Sequence, residues 1–297
     1  MPVDLMILGA QKCGTTSLAR RLDSHPQLAC STPKEPHFFS TVINWQAELP
    51  RYHRLFPAGV MEDEGRMCFE ASTSYTFHPH RRLAIWDVLR SYNPNLKFIY
   101  LVRHPVERIL SAYMHKALRG DTRRPPHQVV LSEPLYLAAS RYSTQIRPYI
   151  ETFGRDRVLI LELEMLERCP NAVDEAIAAF LDIDPAGFGG AGVCANVSVR
   201  QRKRPRWLDG VAPLSPWLRR VVPRAHRRLA QTLTRAPFQQ RPVLSADHAR
   251  AVLDALALEI DALEALMGRD LSHWRDWPRP PDHGTTADHP TAAELSG

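Results

Sequence analysis

The chain is 297 residues long, 44% hydrophobic and 24% charged, which supplies a sizeable core and excludes a generally disordered polypeptide. A formal net charge of +6, from 38 Lys+Arg against 32 Asp+Glu, fits an anionic ligand but is too mild for a nucleic-acid-binding surface. No apolar run reaches the ~20 residues of a membrane helix. The chain passes from Met1 directly into Val3–Leu8 without a basic segment and cleavage site, so a secreted or membrane-spanning protein is not expected. The cysteines, Cys13, Cys30, Cys68, Cys169 and Cys194, are odd in number and scattered, with no CxxC pair; they read as reduced thiols of a cytoplasmic protein, with no metal site.

Val3–Leu8 is a short apolar run stopping at Gly9, and helix-forming residues resume over Thr15–Leu22, which reads as strand, turn, helix. Met67–Glu70 is a shorter strand candidate. Lys97–Val102 is a β-branched and aromatic strand followed by Arg103-His104-Pro105, where Pro105 suits the first turn of a helix, and Val158–Leu161 is a further strand. Continuous apolar strands alternating with helices predict an α/β, P-loop-like three-layer fold, with a central parallel sheet flanked by helices on both faces. Beyond Cys194 the strand signal ends. Val252, Leu253, Leu256, Ile260, Leu263 and Met267 fall at helical spacing, with Ser245 as N-cap and Gly268 as stop, so the C-terminal part is helical. Residues 1–276 are expected to form one domain and the proline-rich 277–297 a disordered tail; there is no internal repeat.

The turn Gly9-Ala10-Gln11-Lys12-Cys13-Gly14-Thr15-Thr16-Ser17 joins strand to helix, where backbone N–H groups and the helix dipole hold anions. It is similar to a nucleotide-triphosphate loop, G-x-x-x-x-G-K-[ST], with one difference: Thr15 follows Gly14, and the lysine has moved back to Lys12. No strand ends in an Asp placed to hold Mg²⁺, which argues against ATP or GTP as donor.

Three segments together resemble the sulfotransferases that use 3′-phosphoadenosine 5′-phosphosulfate, in particular the branch of the heparan sulfate O- and N-sulfotransferases and their bacterial relatives. They are Gly9–Leu18, Lys34-Glu35-Pro36-His37-Phe38-Phe39 and Arg103-His104-Pro105-Val106-Glu107-Arg108-Ile109-Leu110-Ser111-Ala112-Tyr113, and the likeness runs from about residue 3 to 205. The resemblance implies that Gln11, Lys12, Cys13, Gly14, Thr15, Thr16 and Ser17 wrap the 5′-phosphosulfate, with Lys12 at the bridging oxygen, and that the co-product is 3′,5′-adenosine diphosphate. It also implies that Arg103 and Ser111 meet the 3′-phosphate. Placing Val106, Ile109, Leu110 and Tyr113 on the apolar stripe leaves Arg108 and Ser111 on the opposite, wet side of their helix.

The matching catalytic carboxylate is Glu35. His37 competes for that role, since its ordinary pKa of about 6.5 suits a base. Alternatively Glu35 pairs with Lys34 or Lys12 and His37 caps a turn. Glu35, His37, Glu70, Ser72 and Tyr75 are the candidates on the acceptor side, with Trp45, Phe77 and His78 as further pocket residues. Heparan-modifying members often carry a lysine directly after the glutamate of Phe69-Glu70-Ala71; here it is Ala71, which weakens the case for a highly sulfated polysaccharide acceptor. The basic run Arg200–Arg206 occurs where the family has a loop over the cofactor's 3′ side, with Arg202 and Arg204 as its candidates. Arg219, Arg220, Arg224, Arg227 and Arg228 extend a basic region toward an anionic acceptor or lipid headgroups.

The function implied is sulfuryl transfer to a hydroxyl of a glycan, glycolipid or small natural product, with no metal and no nucleic-acid partner. Two other readings stay open: a P-loop kinase or nucleotide hydrolase with an irregular loop, and an inactive relative that binds anionic glycans. Oligomeric state is not legible.

Overall fold

The structure, a computed structural model, describes residues 3–60, 65–77, 84–188 and 241–277. Arg202, Arg204, the rest of the 200–228 basic region, His78 and the tail from residue 278 lie outside the described residues.

Five strands form one parallel sheet: β1 (Leu5–Gly9), β2 (Leu28–Cys30), β3 (Met67–Glu70), β4 (Lys97–Val102) and β5 (Val158–Glu162). Their spatial order is β2-β3-β1-β4-β5. Every residue of β1 and β5 is buried. Since successive side chains point to opposite faces, such strands need cover on both sides, which accounts for their unbroken apolar runs. The helices among the described residues are α1 (Thr15–Asp23), α2 (Phe38–Thr41), α3 (Trp45–His53), α4 (Ile85–Tyr92), α5 (Pro105–Arg119), α6 (Pro126–Val129), α7 (Pro134–Ala138), α8 (Tyr142–Phe153), α9 (Leu163–Arg168), α10 (Pro170–Leu181), α11 (Ala246–Ala255) and α12 (Ala257–Met267), and they flank the sheet on both faces. No helix among the described residues is long and apolar enough to cross a membrane.

The chain lays β2 and β3 on one side of β1 and β4 and β5 on the other. Segments leaving β1 and β4 therefore diverge, and the carboxyl ends of these neighbouring strands open a crevice at the point where the winding reverses. That is where the turn Gly9–Ser17 and Arg103 sit.

The C-terminal expectation holds, with one difference. Ser245 caps α11, its hydroxyl accepting from the His248 N–H at 3.4 Å, and Gly268 ends α12 at φ 64°. The single helix is broken in two at Leu256, yet Val252, Leu253, Leu256, Ile260, Leu263 and Met267 are all buried. A buried ion pair between Arg21 of α1 and Asp174 of α10 binds helices whose residues are 153 apart in sequence.

Candidate active site

The turn after β1 is anchored at its start by the Ala10 N–H, which donates to the Leu101 carbonyl of β4 at 2.6 Å. Lys12 (φ 72°) and Gly14 (φ 88°) take left-handed backbone, turning the chain so that α1 can begin at Thr15. Gly14 is the N-cap and has no side chain to accept from the first N–H groups, and the first turn of α1 carries no acidic residue. Among the described residues no N-cap side chain or first-turn carboxylate covers the positive end of this nine-residue helix, the arrangement that receives an external anion. Gly14 is also required sterically, because a Cβ there would lie 2.5 Å from Leu163 Cδ1. Gly14→Ala is expected to cost about 1–3 kcal/mol through forced left-handed backbone and displaced Leu163, read as a lower denaturant midpoint at unchanged slope.

Lys12 is half-buried and makes no ion pair among the described residues. Burial lowers its pKa, the Glu35 charge opposes that shift, and the charges of Arg103 and Arg108 add to it. Gln11 and Thr16 are exposed and Ser17 half-buried. Cys13 is different: its side chain is fully buried with Sγ 3.6 Å from the Tyr142 hydroxyl, and burial pushes the thiol up to about 12. Cys13 can serve the loop only through its backbone. Tyr142 in turn donates to the Arg103 carbonyl at 2.8 Å, tying the loop's underside to the end of β4.

The second segment closes on the first through Lys34. Its ammonium lies 3.4 Å from Thr15 Oγ1 and 2.7 Å from Glu35 Oε1. Glu35 Oε2 is 3.5 Å from His37 Nε2 and accepts from the Thr73 hydroxyl at 3.4 Å. His37 Nδ1 lies 2.8 Å from Ser74 Oγ, which is 2.7 Å from Ser40 Oγ. The pairing of Glu35 with Lys34 and the capping position of His37 (φ 53°) at α2 are both present. They do not compete with a chemical role; they hold the carboxylate and imidazole together, about one-third exposed, beside the anion-binding turn.

Glu70, Ser72 and Tyr75 lie beneath this pair, fully buried, and so present nothing to an acceptor. Trp45 and Tyr75 belong to an aromatic cluster with Phe39, Tyr52 and Tyr92 rather than to an open pocket wall. Glu70 Oε1 accepts from Tyr52 (2.7 Å) and Tyr75 (2.8 Å), and Oε2 from Ser72. Burial pushes the Glu70 carboxyl up to about 7 against the pull of these three hydroxyls. The folded chain holds this proton more tightly than the unfolded chain, whose value is near 4.5, so ionising Glu70 costs stability. Stability from this group falls by on the order of 3 kcal/mol as pH rises through that window and is level above it. Glu70→Gln is expected to remove that slope from a plot of unfolding free energy against pH.

Arg103, at the carboxyl end of β4, pairs with Glu107 of α5 at 2.8 Å, and Arg241 pairs with the same Glu107 oxygen. Ser111 is half-buried farther along α5. Arg108 departs from expectation. Val106, Ile109, Leu110 and Tyr113 are buried as expected, but Arg108 is 1% exposed rather than on a wet face. Its guanidinium donates from Nε to Ser140 Oγ at 2.6 Å and from Nη2 to the Tyr136 carbonyl, because α7 and the turn after it cover the helix's second side. Lys34, Thr73 and Ser74 escaped the sequence reading as site residues; the hydroxyl-rich run Ser72–Tyr75 just after an acidic strand end was the one signal for Thr73 and Ser74.

A profile of the sulfotransferase family matches residues 4–186. The chain belongs to this family. Mouse bifunctional heparan sulfate N-deacetylase/N-sulfotransferase 1 is 25% identical to this chain over 200 residues, covering 60% of the chain and 22% of the relative. Human carbohydrate sulfotransferase 15 is 22% identical over 300 residues, covering 78% and 53%. The chain therefore spans about a fifth of the first relative's length and about half of the second's. Among solved structures, a sulfotransferase from Alicyclobacillus acidocaldarius superposes with a TM-score of 0.64 at 24% identity, covering 93% of this chain and all of that one, a likeness of fold.

Proposed function

We propose that this sulfotransferase moves a sulfuryl group from 3′-phosphoadenosine 5′-phosphosulfate to an acceptor hydroxyl. The observation that carries the proposal is the meeting of an uncapped helix N-terminus, the Lys12 ammonium and the Glu35 carboxylate at the carboxyl end of β1. A phosphosulfate fits the turn: Gly14 brings no side chain to the N-terminus of α1, and among the described residues no carboxylate pairs with Lys12.

Residues 11–17 would hold the 5′-phosphosulfate, and Arg103 with Ser111 the 3′-phosphate, Arg103 exchanging or sharing its Glu107 partner. The bound donor supplies an activated sulfuryl group on a phosphate leaving group. Glu35 takes the proton of the acceptor hydroxyl as the new O–S bond forms and the S–O bond to phosphate breaks. Lys12 meets the charge that builds on the departing oxygen, which favours the transition state over the ground state. His37, held at Nδ1 by Ser74 and facing Glu35 through Nε2, orients the carboxylate. This scheme needs no metal ion.

The acceptor class that the relatives' names support is carbohydrate, free or as glycolipid, and Ala71 in place of a lysine favours one of low sulfation. The cysteines of the sequence, odd in number and scattered with no CxxC pair, support a cytoplasmic location. The test is transfer of labelled sulfate from the donor to a panel of hydroxylated acceptors, saccharides and glycolipids included. Labelled product is expected; Mg²⁺-dependent ATP binding with no sulfate transfer to any acceptor would assign the chain to another chemistry.

A further inference from the structure

The Glu70 cluster does more than fill space beneath the site. Ser72 donates to Glu70 Oε2, so its oxygen is free to accept, and it accepts from the His37 backbone N–H at 2.9 Å. Tyr75 donates to Glu70 Oε1 and accepts from the Phe39 N–H at 3.3 Å. His37 and Phe39 are the N-cap and second residue of α2, a helix end that lacks any side-chain cap of its own. One carboxylate thus reaches two backbone donors of another segment, each through one hydroxyl whose proton direction it dictates. The left-handed His37 and the Glu35 two residues before it are held from below by this relay. Tyr52, the third donor to Glu70, touches neither backbone N–H in this way; it packs against Phe38 and Phe39.

We infer that Glu70 is a positioning residue for the transfer reaction: its carboxyl oxygens accept from Ser72 and Tyr75, which fixes α2's first turn and thereby sets the reach of Glu35. An apolar residue would fill the same volume but could accept from neither hydroxyl, so the task of the carboxyl group here is directional. A glutamine has one acceptor oxygen fewer and offers Ser72 a donor instead, which reverses the hydroxyl and releases the His37 N–H. The inference rests on Glu35 being the base.

The experiment measures steady-state sulfate transfer and 3′,5′-adenosine diphosphate affinity for Glu70→Gln, Ser72→Ala, Tyr52→Phe and Glu35→Gln in the full chain. Glu70→Gln and Ser72→Ala are expected to lower kcat by about 10- to 100-fold, with nucleotide affinity within about twofold of wild type. Tyr52→Phe is expected to keep kcat within about threefold while sharing any loss of melting temperature, which separates positioning from mere packing. Equal loss of kcat in Tyr52→Phe and Ser72→Ala, or wild-type kcat in Ser72→Ala, would overturn the inference, and the Ser72 and Tyr52 pair decides it even if Glu70→Gln does not fold. Full activity in Glu35→Gln would instead overturn the underlying assignment of the base, and this inference with it.

Discussion

Lys12→Ala is expected to lower kcat for sulfate transfer by about 10²- to 10³-fold, the range found when one preorganised donor to developing charge is removed. The reason lies in where the ammonium stands. It occupies a left-handed position in the turn, half-buried, with no ion pair among the described residues and with Arg103 and Arg108 close enough to depress its pKa. A cation so placed has little structural work to do, so its loss should leave the fold intact. Charge on a phosphate oxygen rises as the sulfuryl group departs, and a fixed cation stabilises that state more than the ground state. Donor affinity should fall by much less than kcat, because the N–H groups of α1 remain. Single-turnover assays at saturating donor measure the difference; reduced donor affinity with an unchanged saturated rate would mean that Lys12 only binds.

Glu35→Gln is expected to lower the rate by about 10²- to 10⁴-fold, since an acceptor hydroxyl is a poor nucleophile until its proton is taken. Glutamine keeps the shape and most contacts but cannot accept the proton. His37→Asn should cost less, because His37 Nδ1 is committed to Ser74 while Nε2 addresses Glu35, so the ring supports the carboxylate instead of replacing it. Side-by-side rates for the two variants decide between carboxylate and imidazole: a larger loss in His37→Asn would reassign the base.

The strands were legible because a sheet covered on both faces writes itself as unbroken apolar runs. Lys97–Val102 and Met67–Glu70 match the expected limits, and Leu5–Gly9 and Val158–Glu162 differ from them by two residues or fewer at either end. Leu28–Cys30 was missed; three residues are too few to establish a period. Helices α3 and α8 were not placed from the sequence either; they contain Pro50 and Pro148, a residue that ordinarily kinks or breaks a helix interior. Arg108 was misplaced because helical spacing identifies one covered face and cannot tell that α7 covers another. The outline of the site was legible because its three segments each sit directly after a strand or turn. The burial of Glu70 was not, because a carboxylate at a strand's end looks the same in sequence whether water or two tyrosines surround it.

The central claim is that the turn after β1 grips an adenosine nucleotide bearing phosphate at both the 3′ and 5′ positions. Isothermal titration of the purified chain with 3′,5′-adenosine diphosphate tests it most directly. Saturable heat at one site per chain, persisting without Mg²⁺ and weakened by Arg103→Ala, is the predicted result; no heat with this nucleotide, or heat only with ATP and Mg²⁺, would contradict it.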